Sequence, residues 1–209
     1  MIDVALVDVG HGNLRSVERA LVRASEGIEV RVTIARDAET IARADKVVVP
    51  GQGAFRDCAA ALGDGRGIGE AIRASIARGA PYLGICLGMQ VLFESSEESM
   101  GASGLGVFEG TVTRLPDRDA SGERLKIPHV GWNTIDARAS GVLPRGPTWF
   151  YFVHSYAVVP RDASLVAATC EYGEPFVAAV AKDNVLAVQF HPEKSQAAGL
   201  ALLARFLAR

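Results

Sequence analysis

The sequence predicts an α/β protein: a doubly wound, mixed and mostly parallel sheet with antiparallel strands added in its second half, built as one domain over residues 1–209. Three observations predict it. In the first hundred residues, short apolar runs alternate with helix-period segments, as repeated βα units require. Val47-Val48-Val49 is wholly β-branched, as suits a strand buried on both faces. After Gly101 the texture changes to short strand patterns separated by turn residues.

Residues 2–7 read as an apolar strand and residues 8–12 as a turn. Asn13 is placed to cap an amphipathic helix carrying Leu14, Val17, Leu21 and Val22. Gly10-x-Gly12 after a first strand suggests a dinucleotide loop, but Arg15 stands where that fingerprint needs its third glycine. Residues 28–34 form a second strand, 39–44 a short helix, and 46–49 a third strand running into Pro50-Gly51-Gln52-Gly53. Open parallel sheets bind ligands at the carboxyl ends of their strands, and two glycines there let backbone N–H groups turn toward a ligand. A plain tight turn is the competing reading of that loop. Residues 54–78 are helical, interrupted at 63–67. Further strands are expected at 107–115, 148–159, 165–170, 176–182 and 185–190, with a hairpin turn at Lys182-Asp183-Asn184. Residues 196–209 close the chain as an amphipathic helix.

The chemistry centres on Gly84-Ile85-Cys86-Leu87-Gly88. A strand pattern ends there and a helical one follows, with Leu87, Val91 and Leu92 on one side, which is the sulfur counterpart of a nucleophile elbow. Small residues on either side make room for the sharp turn, and free N–H groups of the following helix favour a thiolate. A buried structural cysteine between two packing glycines is the alternative. Gln189-Phe190-His191-Pro192-Glu193 stands where another strand runs out. Residues two apart on a strand share a side, so His191 and Glu193 can form a base oriented by a carboxylate, the partner that a thiol nucleophile needs. Cys58 and Cys170 read as core thiols in a helix and a strand.

Composition limits the rest. A net charge of -2 over 209 residues argues against nucleic acid or a membrane surface as partner. Three cysteines argue against a disulfide framework and for a reducing, cytoplasmic location. His11, His129, His154 and His191 stand in separate segments without metal-ligand spacing, so no metal is expected; no cofactor is expected either.

Pro50-Gly51-Gln52-Gly53, Gly84-Ile85-Cys86-Leu87-Gly88 with Gln90, and Phe190-His191-Pro192-Glu193 together resemble the class I, triad-type glutamine amidotransferases. Gly12-Asn13-Leu14-Arg15-Ser16-Val17, Met89, Pro128-His129-Val130-Gly131-Trp132-Asn133, Val153-His154-Ser155-Tyr156 and Lys194-Ser195 are similar to the glutaminase subunits of imidazole glycerol phosphate synthases within that class. The resemblance runs from the first strand to the last helix and implies the class I amidotransferase fold. It implies a catalytic triad of Cys86, His191 and Glu193, oxyanion-holding N–H groups at Gln52 and Leu87, and L-glutamine bound by Gly51, Gln90, Glu98, Ser155 and Tyr156. It also implies a heterodimer with a (β/α)8-barrel synthase subunit in histidine biosynthesis, contacted through Asn13, Trp132, Tyr151 and Lys194. Released ammonia would pass to that subunit, which makes imidazole glycerol phosphate and AICAR. For Trp132, a core position in a strand is the competing reading. Two positions depart from the family pattern: Val9 replaces an aromatic residue and Gln52 a small apolar one. The oxyanion role belongs to the backbone and survives the second change. Amidotransferase subunits for anthranilate or guanylate synthesis, and a stand-alone γ-glutamyl hydrolase, are the alternatives.

Overall fold

The computed structural model describes residues 1–10, 12–138 and 141–209. His11, in the turn expected at 8–12, lies outside the described residues. The first half runs β1 (Ile2–Val7), α1 (Leu14–Ala24), β2 (Val30–Ala35), α2 (Ala38–Arg43), β3 (Lys46–Gly51), α3 (Phe55–Leu62), α4 (Ile68–Ala77), β4 (Tyr82–Cys86) and α5 (Leu87–Gln90). The second half is mainly strands: β5 (Ser95–Ser96), β6 (Gly110–Arg114), β7 (His129–Ala137), β8 (Thr148–His154), β9 (Tyr156–Pro160), β10 (Val166–Tyr172), β11 (Glu174–Lys182) and β12 (Val185–Val188). Helix α6 (Gln196–Leu207) follows.

A nine-stranded sheet has the order β2-β1-β3-β4-β12-β11-β10-β7-β8. Its first five strands are parallel and the other four antiparallel. Alternate residues of the parallel strands go to opposite faces, as the period of two demands. Val4, Leu6, Val48, Leu83 and Ile85 pack in a core with residues of α1 and α6, whereas Ala5, Val7, Val47, Val49 and Tyr82 pack in another with residues of α2, α3 and α4. Helices therefore cover both faces, which is the doubly wound arrangement.

Several local expectations change. The helix α1 begins at the Asn13 cap, whose side chain accepts from the Ser16 N–H, but its buried face is Val17, Ala20, Leu21 and Ala24, and Val22 is exposed. The strand expected at 148–159 is two strands. It breaks at Ser155, where the chain leaves the large sheet and enters a three-stranded one of order β5-β6-β9. Strand β7 has no counterpart in the sequence reading. The helix after Cys86 is a single turn: beyond it the Leu92 and Phe93 N–H groups bond three residues back, to the Met89 and Gln90 carbonyls at 3.2 and 3.1 Å, and both side chains enter the core.

Two contacts fix that turn from below. A Cβ on Gly88 would overlap the Val49 carbonyl oxygen, and one on Gly84 the Gly88 carbonyl. Tyr82, fully buried, donates its phenol to the Gly88 carbonyl at 2.7 Å. A buried carbonyl deprived of its donor costs about 1–3 kcal/mol. Tyr82→Phe should therefore lower the denaturation midpoint by an amount worth about 1–3 kcal/mol with an unchanged denaturant slope. A midpoint equal to wild type would mean that the phenol does not brace the turn.

Candidate active site

Cys86 is the last residue of β4 and has φ 54 and ψ -107, a backbone region that side chains adopt only when the surrounding structure enforces it. The enforcement is visible. Gly88 sits on Val49, Gly84 on Gly88, and a Cβ on Gly51 would come within 2.6 Å of Leu87 Cβ. Gly51 pairs with Cys86 across the sheet, so the ends of β3 and β4 lie side by side. With four residues, α5 is too short to present a summed helix dipole, so any stabilisation of charge at the sulfur comes from individual N–H groups.

His191 and Glu193 meet as expected, but not along a strand. Strand β12 stops at Val188, and residues Pro192–Lys194 form a 3-10 turn, which begins at Pro192 because proline has the right φ and no N–H to leave unpaired. His191 Nδ1 lies 2.8 Å from Glu193 Oε1, with both side chains buried. A carboxylate only accepts, so Nδ1 carries a proton, and Nε2 is the ring atom that takes up or releases one. Nε2 and Glu193 Oε2 have no hydrogen-bond partner. Burial lowers the His191 pKa, but the Cys86 sulfur and the Glu193 carboxylate raise it more, and it is pushed up to about 9. Ser195 secures the turn: its hydroxyl donates to the His191 carbonyl at 2.6 Å and accepts from the Tyr151 N–H at 3.0 Å.

A cavity of about 340 Å³ opens beside Cys86, lined by Gln52, Gly53, Leu87, Gln90, Glu98, Pro128, Val153, His154, Ser155 and Tyr156. Six of the residues expected at a glutamine site, Gln52, Leu87, Gln90, Glu98, Ser155 and Tyr156, are thus on one cavity; Gly51 lies in β3 behind it. Glu98 Oε2 accepts from the Phe55 N–H at 2.7 Å, filling the cap that Ala54 cannot provide for α3 and leaving its other oxygen uncommitted. Gln90 Nε2 donates to the Tyr156 carbonyl and to Gln189 Oε1, both at 3.1 Å, which leaves Gln90 Oε1 for a ligand N–H.

The sequence reading quoted Gln189, Pro128, Val153 and His154 within its motifs but gave them no place in the site. Gln189 carried a usable signal, standing two residues before His191 in the same motif. His154 begins a buried row. Its Nδ1 lies 2.9 Å from the Tyr156 carbonyl, its Nε2 3.0 Å from His129 Nδ1, and His129 Nε2 3.3 Å from Asn133 Nδ2. Burial pushes His129 down to about 4 and His154 down to about 3. Cys58 and Cys170 are buried free thiols that burial pushes up to about 12.

Trp132 is 43% exposed and Trp149 58%, so Trp132 is not a core residue. The Trp132 and Tyr151 rings meet edge to face at 6.1 Å, and Lys194 Nζ stands 5.8 Å from the Tyr151 ring centre. These three form one cluster. Asn13 caps α1, which packs against the turn that carries Lys194.

The class-I glutamine amidotransferase family profile matches residues 5–209. The chain belongs to that family. This amidotransferase is 51% identical over 213 residues to the imidazole glycerol phosphate synthase subunit HisH of Methylococcus capsulatus, covering 99% of this chain and 96% of that one. It is 49% identical over 218 residues to the same subunit of Aromatoleum aromaticum, covering 99% and 98%. A crystal structure of a glutamine amidotransferase, 24% identical, aligns with a TM-score of 0.70 over 98% of this amidotransferase and 97% of that chain. Among the described residues, no helix is long and apolar enough to cross a membrane.

Both neighbours of His191 raise its pKa, so removing either must lower it. NMR titration of the His191 ring should give an apparent pKa near 9 in wild type and lower values in Glu193→Gln and in Cys86→Ala. An unmoved titration in both variants would show that the three groups do not act together.

Proposed function

We propose that this chain is the glutaminase subunit of an imidazole glycerol phosphate synthase, acting in the cytoplasm in histidine biosynthesis. It hydrolyses L-glutamine to glutamate and ammonia and passes the ammonia to a (β/α)8-barrel synthase subunit. The observation that carries the reading is the identity of about half, over almost the whole of both chains, with HisH subunits.

The Cys86 sulfur attacks the side-chain amide carbon of glutamine, and its proton goes to His191 Nε2. The tetrahedral oxyanion is received by the N–H groups of Gln52 and Leu87, the residues that follow the two adjacent strand ends. The carbon–nitrogen bond then breaks, His191 returns the proton to the leaving ammonia, and Glu193 holds the imidazole throughout. Water, activated by His191, cleaves the thioester to glutamate. Gln90, Glu98, Ser155 and Tyr156 receive the amino-acid head, with one Glu98 oxygen and Gln90 Oε1 as acceptors for its ammonium, and Gly51 supports the loop from behind. The face of Trp132, Tyr151, Lys194 and Asn13 docks on the barrel subunit.

Magnitudes assign the work. A thiol of ordinary pKa, about 8.5, is about 3% ionised at pH 7, and bringing it to half-ionised gains roughly 15-fold, or about 1.6 kcal/mol. Enzymes supply at least about 8 kcal/mol, so positioning and oxyanion stabilisation must provide most of the acceleration.

Cys86→Ala should abolish glutamine hydrolysis while the complex with the barrel subunit still uses added ammonium salts. Retention of most glutaminase activity would overturn the nucleophile assignment. A single oxyanion donor is worth about 10²–10³ in rate, so a peptide turn at Gln52-Gly53 is enough to switch the enzyme. Barrel subunit with bound nucleotide should raise glutaminase kcat by at least about 10²-fold over the free chain. A free chain already running at the rate of the complex would favour a stand-alone hydrolase.

A further inference from the structure

Gln189 is wholly buried at the end of β12, where its backbone N–H donates to the Ala178 carbonyl of β11 at 2.9 Å. Its side-chain amide lies between two residues of the site: Oε1 is 3.1 Å from Gln90 Nε2, and Nε2 is 3.4 Å from Cys86 Sγ. Which end of a buried amide is the donor is settled by its neighbours. The Tyr156 carbonyl can only accept, so the Gln90 atom 3.1 Å from it must be its NH2 group. That NH2 also faces Gln189, whose facing atom must then be the acceptor oxygen. The opposite end of Gln189 is therefore its NH2 group, and it points at the sulfur. A backbone carbonyl thus fixes, through two glutamines, a donor aimed at the nucleophile.

We propose that Gln189 is a catalytic hydrogen-bond donor to Cys86, holding the sulfur in its attacking position and stabilising the thiolate formed when the thiol proton moves to His191 Nε2. The proposal rests on Cys86 as the nucleophile. It supplies what the one-turn helix α5 cannot: a charge-stabilising group held in place at the sulfur before substrate arrives. A neutral amide suits this position, because it stabilises the thiolate without competing for the proton that His191 takes.

The ionisable groups around the sulfur come from several elements: His191 with Glu193 behind it, Cys58 on α3, His154 on β8, and Glu98 on the cavity wall. Cys58 at about 12 and His154 at about 3 do not change charge between pH 5 and pH 10. Cys170 is also silent there, at about 12. The rate of alkylation by iodoacetamide across that range therefore reads the Cys86 sulfur together with its partner His191.

Gln189→Met keeps length and volume and removes the donor. It should move the alkylation profile toward higher pH by about one unit or more and lower glutaminase kcat of the complex about ten-fold or more, with KM for glutamine little changed. Gln189→Glu, with a carboxylate against the sulfur, should move the profile further in the same direction. In the wild-type chain the Gln189 side-chain 15N resonance should shift as Cys86 titrates, and that shift should vanish in Cys86→Ala, a measurement that stands even if the position 189 variants do not fold. An unmoved profile and kcat in Gln189→Met, or a Gln189 resonance indifferent to the titration, overturns the proposal. Should Cys86→Ala itself keep glutaminase activity, the nucleophile reading fails instead, and the two failures are told apart.

Discussion

Gly88 lies so close to the Val49 carbonyl that no side chain fits between them, and the short helix after Cys86 is thereby held against strand β3. Much of the site follows from this approach. The ends of β3 and β4 are brought together at Gly51 and Cys86, so the Gln52 peptide and the Leu87 N–H come from neighbouring strand ends. The chain must turn sharply between β4 and α5, which holds Cys86 at φ 54. A strained residue of this kind costs about 1–3 kcal/mol and persists only because its surroundings leave it no alternative. Here the surroundings are two glycines, a carbonyl and the Tyr82 phenol.

The His191–Glu193 pair is held by different means. His191 and Glu193 lie beyond the end of β12, on a turn tied to β8 through Ser195 and packed by α6, where a Cβ on Gly199 would overlap the Pro192 carbonyl. Cys86 and the His191–Glu193 pair therefore sit on separate supports, the first on the parallel strands and the second on a joint between the parallel and antiparallel parts. The orphaned Nε2 of His191 fits a base whose final hydrogen bond forms in the substrate complex rather than before it.

The sequence disclosed the elbow and the histidine–carboxylate pair because each rests on local chemistry: glycines where no Cβ fits, and a proline that starts a tight turn. It disclosed less where tertiary contacts decide. Leu87, Val91 and Leu92 have helical spacing, but the segment is buried on all sides, and periodicity cannot separate a long helix from one turn in such a place. The break at Ser155 has no glycine or proline to announce it, since the chain passes from one sheet to another while keeping strand character. Strand β7 was hidden by Gly131 and Asn133, which dilute its alternation. The sense of the Gln189 amide needed coordinates, because it depends on a carbonyl far away in sequence.

The row from Asn133 through the buried His129 and His154 to the Tyr156 carbonyl joins strand β7, which carries the exposed Trp132, to the wall of the cavity. Its end points fix the direction of every link: the carbonyl only accepts, so His154 donates to it, His129 donates to His154, and the Asn133 amide donates to His129. With both imidazoles held neutral down to about pH 4 and about pH 3, the row has no charge to gain and no direction to reverse near neutrality. The row is thus a set of fixed struts between the outer strand and the cavity wall, offering the same donors and acceptors across the whole range around neutrality.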